Sequence, residues 1–263
     1  MRAANRPGAA YREGMHTVGV DLAAEATNTA VAWLDWSPGG ASVRDLVLGA
    51  VDDVIVEAVS EADKAGIDCP FGWPESFVTF VSAHRDDQLT EPNDVAGRDW
   101  RRRLPFRRTD EAVRAVTGLV PLSVAADRIA HPAMRCAGLL ARLASEGQPV
   151  DRSGSGVVVE VYPAASLKQW GLPYRRYKRS ENLVSRGRLV DELLAAADWL
   201  TLGRHEQTCR ASDDALDAVI AALTARAAYQ GLTIRPSPGD AAAARTEGWI
   251  MLPASRLSEL TRA

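Results

Sequence analysis

The sequence predicts an α/β fold built on a mixed sheet. Two observations carry that expectation. Three β-rich runs follow one another over residues 16–50 with short connections, which reads as an antiparallel meander. A segment of helical period then leads to a further strand, and a valine-rich strand followed by helices comes later in the chain.

The elements follow in order. "HTVGVDLA" (His16 to Ala23) is a short apolar run that ends at Asp21. "TNTAVAWLDW" and "ASVRDLVLGA" come next, divided by the turn signal "SPGG". "VDDVIVEAVSEADKA" spaces Val51, Val54, Ile55, Ala58 and Val59 as a helix does. "GIDCPFGWP" holds a brief strand, Gly66 to Cys69, broken by prolines. Strand, helix and strand in that order predict a right-handed crossover to a parallel neighbour. Residues 75–151 carry few strand signals; a helix from Thr109 and another from about Pro132 to Ser145 mark a mostly helical insertion. "VVVEVYPAA" is a strand stopped by Pro163, with Val158, Glu160 and Tyr162 on one face. A short helix ("AASLKQWG"), a basic loop ("YRRYKRS"), a helix over Glu181 to Leu200, an alanine-rich helix ("ASDDALDAVIAALTARAA") and a last short strand ("EGWIMLP") complete the chain. Residues 1–14 are expected to be a disordered extension and residues 15–263 a single domain.

Bulk properties narrow the function classes. Of 263 residues, 46% are apolar and 25% charged, as in a water-soluble globular protein. The net charge of −3 provides no global basic field, so contact with nucleic acid has to come from a local patch. No apolar run approaches the roughly 20 residues that span a bilayer, and the N-terminus has no apolar h-region, so neither a membrane segment nor a secretory signal is expected. Three scattered cysteines without a CxxC pair fit a reducing, cytoplasmic setting.

The acids fall into a pattern. Asp21 ends the first strand, Asp68 ends the fourth, and Glu160 lies inside the fifth. If the first and fourth strands are parallel neighbours, Asp21 and Asp68 leave the sheet at one edge, where open α/β sheets bind ligands. Adjacent carboxylates repel unless a cation neutralises them, and oxygen-only ligand sets suit Mg2+ or Mn2+. On the alanine-rich helix, Leu216, Val219, Ile220 and Leu223 form one stripe. Asp213 and Asp217 lie about 40° apart at its margin, and Asp214 about 60° beyond Asp217. Docked on the sheet, this helix can aim Asp217 and one of its two neighbours at the strand-end acids. Asp213 and Asp214 also have a duller reading, as first-turn acids that favour the helix dipole behind a Ser212 cap. Glu160 can instead be a buried acid paired with an arginine.

Basic groups supply candidate phosphate contacts. "RDWRRRLPFRR" has six arginines in eleven residues, and "YRRYKR" interleaves two tyrosines with Arg175, Arg176, Lys178 and Arg179. Cations with aromatics suit a phosphate backbone and stacked bases; the alternative is a solvated loop. Arg108, in "RRTDEAVR", is a further candidate, against an internal salt-bridged helix.

"VGVDLA", "IDCPFGWP", "RRTDEAVR", "VVVEVYPAA", "GLPYRRYKRS", "DDALDAVIAALTA" and "EGWIMLP", in that order, resemble the domain-of-unknown-function family 429, described as predicted RNase H-like nucleases. The resemblance runs from about Val18 to Pro253. It implies an RNase H-like core, a five-stranded mixed sheet whose first three strands are antiparallel, flanked by helices. It also implies a two-metal acidic site, with roles falling on Asp21, Asp68 and Asp217 together with Asp213 or Asp214, and an added candidate in Glu160. The expected activity is a divalent-metal-dependent phosphodiesterase, a nuclease, acting on nucleic acid or a nucleotide. One ion would activate water and the other steady the leaving oxygen. Two other readings keep the fold: an actin-like or sugar-kinase-like nucleotide binder, which needs a second such domain, and a catalytically silent interaction protein.

Overall fold

The structure, a computed structural model, describes residues 14–90, 98–102 and 104–262. Residues 1–13 of the expected extension and Arg103 of the arginine-rich stretch lie outside the described residues.

Strands β1 (Met15–Asp21), β2 (Ala30–Ser37) and β3 (Gly40–Leu48) form the antiparallel meander. Helix α1 (Asp52–Glu61) carries the chain back to β4 (Lys64–Asp68), which runs parallel to β1. Strand β5 (Val158–Glu160) lies parallel to β4 on its far side. The sheet is thus mixed and helix-flanked, consistent with the RNase H-like fold. It has six strands rather than five, in the order β5-β4-β1-β2-β3-β6. The sixth, β6 (Leu200–Thr201), pairs in parallel with the start of β3. The sequence placed Leu200 at the end of a helix, whose apolar spacing it continues. It leaves that helix because Leu200 is buried against β3, while the Trp199 carbonyl accepts from Ala41 N–H at 3.0 Å. The tail "EGWIMLP" makes bridges and no strand: Ile250 bridges Glu160, and Pro253, which has no N–H to give a ladder, bridges Thr233.

Between β4 and β5 the described chain is helical: α2 (Glu75–Arg85), α3 (Arg98–Arg101), α4 (Arg108–Thr117) and α5 (Ala130–Ser145). After β5 come α6 (Pro163–Gln169), α7 (Leu183–Ala196), α8 (Glu206–Ala211), α9 (Asp213–Tyr229) and α10 (Ala241–Glu247). One sheet face packs on α1 and α5 through Val18, Val20, Ile55, Val59, Leu139 and Leu143. The other packs on α6, α7 and α9 through Ala32, Leu34, Leu167, Leu193, Val219 and Leu223. No helix among the described residues is long and apolar enough to cross a membrane.

The composition of α9 follows from how closely it lies on the sheet. A Cβ at Gly19 of β1 would overlap the Ala218 carbonyl and the Ala222 nitrogen, and one at Gly66 of β4 would overlap the Ala221 carbonyl. Glycines on the strands and alanines on the helix let the two backbones nearly touch. Ser212 caps the helix, its Oγ accepting from Ala215 N–H at 3.1 Å. The first two turns of α9 are thereby held beside the ends of β1 and β4.

Candidate metal centre

Asp21 and Asp68 are the last residues of β1 and β4 and are paired in the parallel register. Neighbouring parallel strands in register send equivalent side chains to the same face, so both carboxyls leave one end of the sheet together. Asp217, one turn inside α9, is fully buried beside them. One oxygen from each of the three lies within 4.8 Å of the others. Asp214 stands at their edge, close enough to Asp21 for the two carboxyls to act on each other's charge.

Asp213 faces elsewhere. Its Oδ2 accepts the backbone N–H of Arg179 at 3.0 Å, and its Oδ1 accepts from Arg186 Nη1 at 3.3 Å. By helical angle, Asp213 lies nearer in direction to Asp217 than Asp214 does. At the first helical position, however, its side chain meets unpaired donors of the preceding loop and clamps that loop instead of joining the acids.

Crowding shifts the acids' proton affinities. Burial pushes the Asp21 carboxyl well above the usual carboxylate range; Asp217, Asp68 and Asp214 push it further, and Lys178 opposes them. Burial also raises Asp68 to about 7, with Lys178 pulling down and Asp217 and Glu160 pushing up. Asp214 is raised by burial first, then by Asp213 and Asp217. Burial works against the charge of Lys178, but the fields of Asp217, Tyr177, Asp68 and Asp21 outweigh it and hold the ammonium charged. These four shifts are those of a low-dielectric cluster of like charges relieved by one cation.

The residues suit a hard divalent cation. The donor set is all oxygen. Asp217 Oδ1 accepts from the Tyr177 hydroxyl at 2.8 Å, which fixes the carboxylate. Its Oδ2 lies 2.6 Å from Lys178 Nζ but off the hydrogen-bonding direction, so this buried oxygen accepts no hydrogen bond. The triad Asp21, Asp68 and Asp217 can therefore hold a metal ion.

Glu160 plays a different part from the one its strand position suggested. Arg107 grips it with Nη2 to Oε1 at 2.7 Å and Nη1 to Oε2 at 2.9 Å, and Phe71 N–H donates to Oε2 at 2.9 Å. Both oxygens are thus occupied, and the carboxylate does not belong to the converging triad. Arg107 also pairs with Asp110 at 2.9 Å, and all three side chains are buried. Arg107 was missed in the sequence; the signal was the Arg107–Asp110 spacing at the start of α4, where Asp110 Oδ2 also accepts Arg107 N–H at 2.9 Å. Arg108, its neighbour and the sequence candidate, is turned outward. Its Nε donates to Asp240 at 3.0 Å and its Nη1 to Glu111 at 2.7 Å, so its charge is already spent on the surface.

A cavity of about 490 Å3 opens over the acids. Asp21, Asp68, Lys178, Arg175 and Arg176 are among its charged lining residues. Leu122, Ile129, Pro132 and Tyr162 are among its apolar ones, and the first three come from the helical stretch between β4 and β5. Arg175 and Arg176 have no acid partner among the described residues; Arg175 rests over the Tyr174 ring, 5.2 Å from its centroid. Arg179 does not line the cavity, and its exposed side chain is 3.9 Å from Glu181. Lys178 lines the cavity half exposed, with its ammonium beside Asp217. Arg186, also missed in the sequence, is buried and holds the loop from below by donating to the Tyr177 carbonyl at 2.7 Å and the Ala211 carbonyl at 2.6 Å.

A family model described as "Protein of unknown function (DUF429)" matches residues 19–242. No curated protein and no solved structure matches the chain.

Proposed function

The chain belongs to the DUF429 family of proteins of unknown function, and we propose that it is a divalent-metal-dependent phosphodiesterase, a nuclease acting on nucleic acid or a nucleotide. The observation that carries this reading is the convergence of Asp21, Asp68 and Asp217 beside a cavity that Asp21 and Asp68 line together with Arg175 and Arg176, which have no acid partner among the described residues. Mutually repelling carboxylates, one buried and two half-buried, beside guanidinium groups that lack an acid partner among the described residues make little sense for a silent scaffold. They suit a cation and a phosphate bound together.

The ion would be Mg2+ or Mn2+, held by Asp21, Asp68 and Asp217. When bound, it would lower the pKa of water and polarise a phosphoryl oxygen, which is what hydrolysis of a phosphodiester needs. The chain's residues supply the rest. Tyr177 fixes the rotamer of Asp217. Asp214 stands beside Asp21 at the edge of the cluster, its proton affinity raised by burial, where it can take the proton of an attacking water. Arg175 and Arg176 offer bidentate contacts to phosphate oxygens. Leu122, Ile129 and Tyr162 wall the site with apolar surface against which a base can lie. The Arg107–Glu160 pair stiffens the wall nearest Asp68. A volume of about 490 Å3 is within the ordinary range of small-ligand sites, so the pocket admits a nucleotide-sized group rather than an intact duplex. The resemblance implied two ions; among the described residues the acids form one such triad. A cytoplasmic setting accords with three free, buried cysteines.

The test is cleavage of single-stranded, hybrid and branched substrates with Mg2+ or Mn2+, comparing the native protein with Asp21→Asn. Metal-dependent cleavage abolished in the variant supports the reading; equal activity in both refutes the site.

A further inference from the structure

Lys178 is not placed like a surface phosphate contact. Its ammonium lies 2.6 Å from Asp217 Oδ2 and faces Asp21 and Asp68 as well. The loop that delivers it is built for that position. Buried Arg186 donates to the carbonyls on both sides of it, Tyr177 at 2.7 Å and Arg179 at 3.2 Å. Asp213 accepts the Arg179 N–H at 3.0 Å. Arg176 and Arg179, the residues two before and one after, have φ of 57° and 73°, a conformation that non-glycine residues hold only when their surroundings impose it.

Charge counting gives this placement a meaning. Ionised, the three converging carboxylates of Asp21, Asp68 and Asp217 carry three negative charges. One divalent ion and one ammonium balance them. Two divalent ions beside the ammonium would leave the substrate-free site doubly positive. The oxygen that a second ion would use, Asp217 Oδ2, is the one that the ammonium faces. Resting on the metal-site reading above, we infer that Lys178 is the second cationic centre of this site: the protein binds one divalent ion, and Lys178 Nζ stands where the second ion of a two-metal site would be. In the working site the ammonium contacts the substrate phosphate from the side opposite the ion, a role that a fixed amine performs without needing to be loaded.

The experiment is titration calorimetry of the full chain with Mn2+, without substrate, for the native protein, Lys178→Met, Lys178→Arg and Asp68→Asn, with circular dichroism to verify folding. The inference expects one ion per chain for the native protein and for Lys178→Arg, and two for Lys178→Met. Two ions in the native protein, or one in Lys178→Met, overturn the inference and leave the metal site standing. No binding by any of the proteins, or native-like binding by Asp68→Asn, overturns the metal site itself.

Discussion

Replacing Asp68 with asparagine should make the metal-free protein more stable while abolishing its response to metal. In the folded chain the Asp68 carboxyl is raised to about 7 from an ordinary 3.8. The sign follows from linkage. A carboxyl raised on folding stabilises the fold where it is protonated, below about pH 4, and that contribution is lost as the pH rises through 7. Holding the charge at pH 8 costs at most about 4 kcal/mol, at about 1.4 kcal/mol for each tenfold in proton affinity. Asp68 keeps some exposure to the cavity, and water there screens the cost to roughly 2 kcal/mol at the lower end. Asp68→Asn removes this cost, so in a chelator at pH 8 it should melt on the order of 10 °C above the native protein. The gap should narrow toward pH 5. With Mn2+ the order should reverse: the native protein gains about 2.7 kcal/mol at a hundredfold excess over the dissociation constant, and the variant gains none. Thermal melts followed by circular dichroism, at pH 5 and pH 8 with chelator or Mn2+, check all four cases. A variant that melts at or below the native protein in chelator at pH 8 refutes the reasoning, because Asp68 would then not be under charge strain.

Other consequences can be measured independently. Mn2+ affinity should rise as the pH passes through about 7, since the Asp68 proton competes with the ion below that value; calorimetry in buffers of different ionisation heat should detect the released proton. Arg107→Met leaves Glu160 and Asp110 buried without their partner and should cost about 3–5 kcal/mol in urea unfolding, whereas Arg108→Met, which alters only surface pairs, should cost under about 1 kcal/mol. Gly19→Ala pushes α9 off the sheet where its backbone meets β1; about 1–3 kcal/mol of destabilisation is expected, with weakened Mn2+ binding because Asp217 and Asp214 ride on that helix.

The order of elements and the shared edge of Asp21 and Asp68 were legible because each rests on a local signal. Alternation marked the strands, "SPGG" marked a turn, and strand–helix–strand order demands a parallel crossover. The parallel direction of β1 and β4 follows from the crossover, and the structure sets Asp21 against Asp68 in the register. What stayed hidden depends on pairing at long range. Nothing near Glu160 in the chain announces that Arg107, 53 positions away, occupies both of its oxygens. Strand β6 is two residues long and exists only because Leu200 finds β3. The choice between Asp213 and Asp214 could not be made by helical angles, since it is decided by the loop that Arg186 and Asp213 hold together. Lys178 looked like one of four equivalent cations in a basic loop, and only the fold shows that it alone reaches the acids.

The most direct test of the central claim is a crystal structure of the protein soaked in Mn2+, read by anomalous scattering. The account predicts a peak at coordination distance from Asp21, Asp68 and Asp217, with Asp213 and Glu160 outside it. A peak elsewhere, or none between these acids at saturating Mn2+, would contradict it.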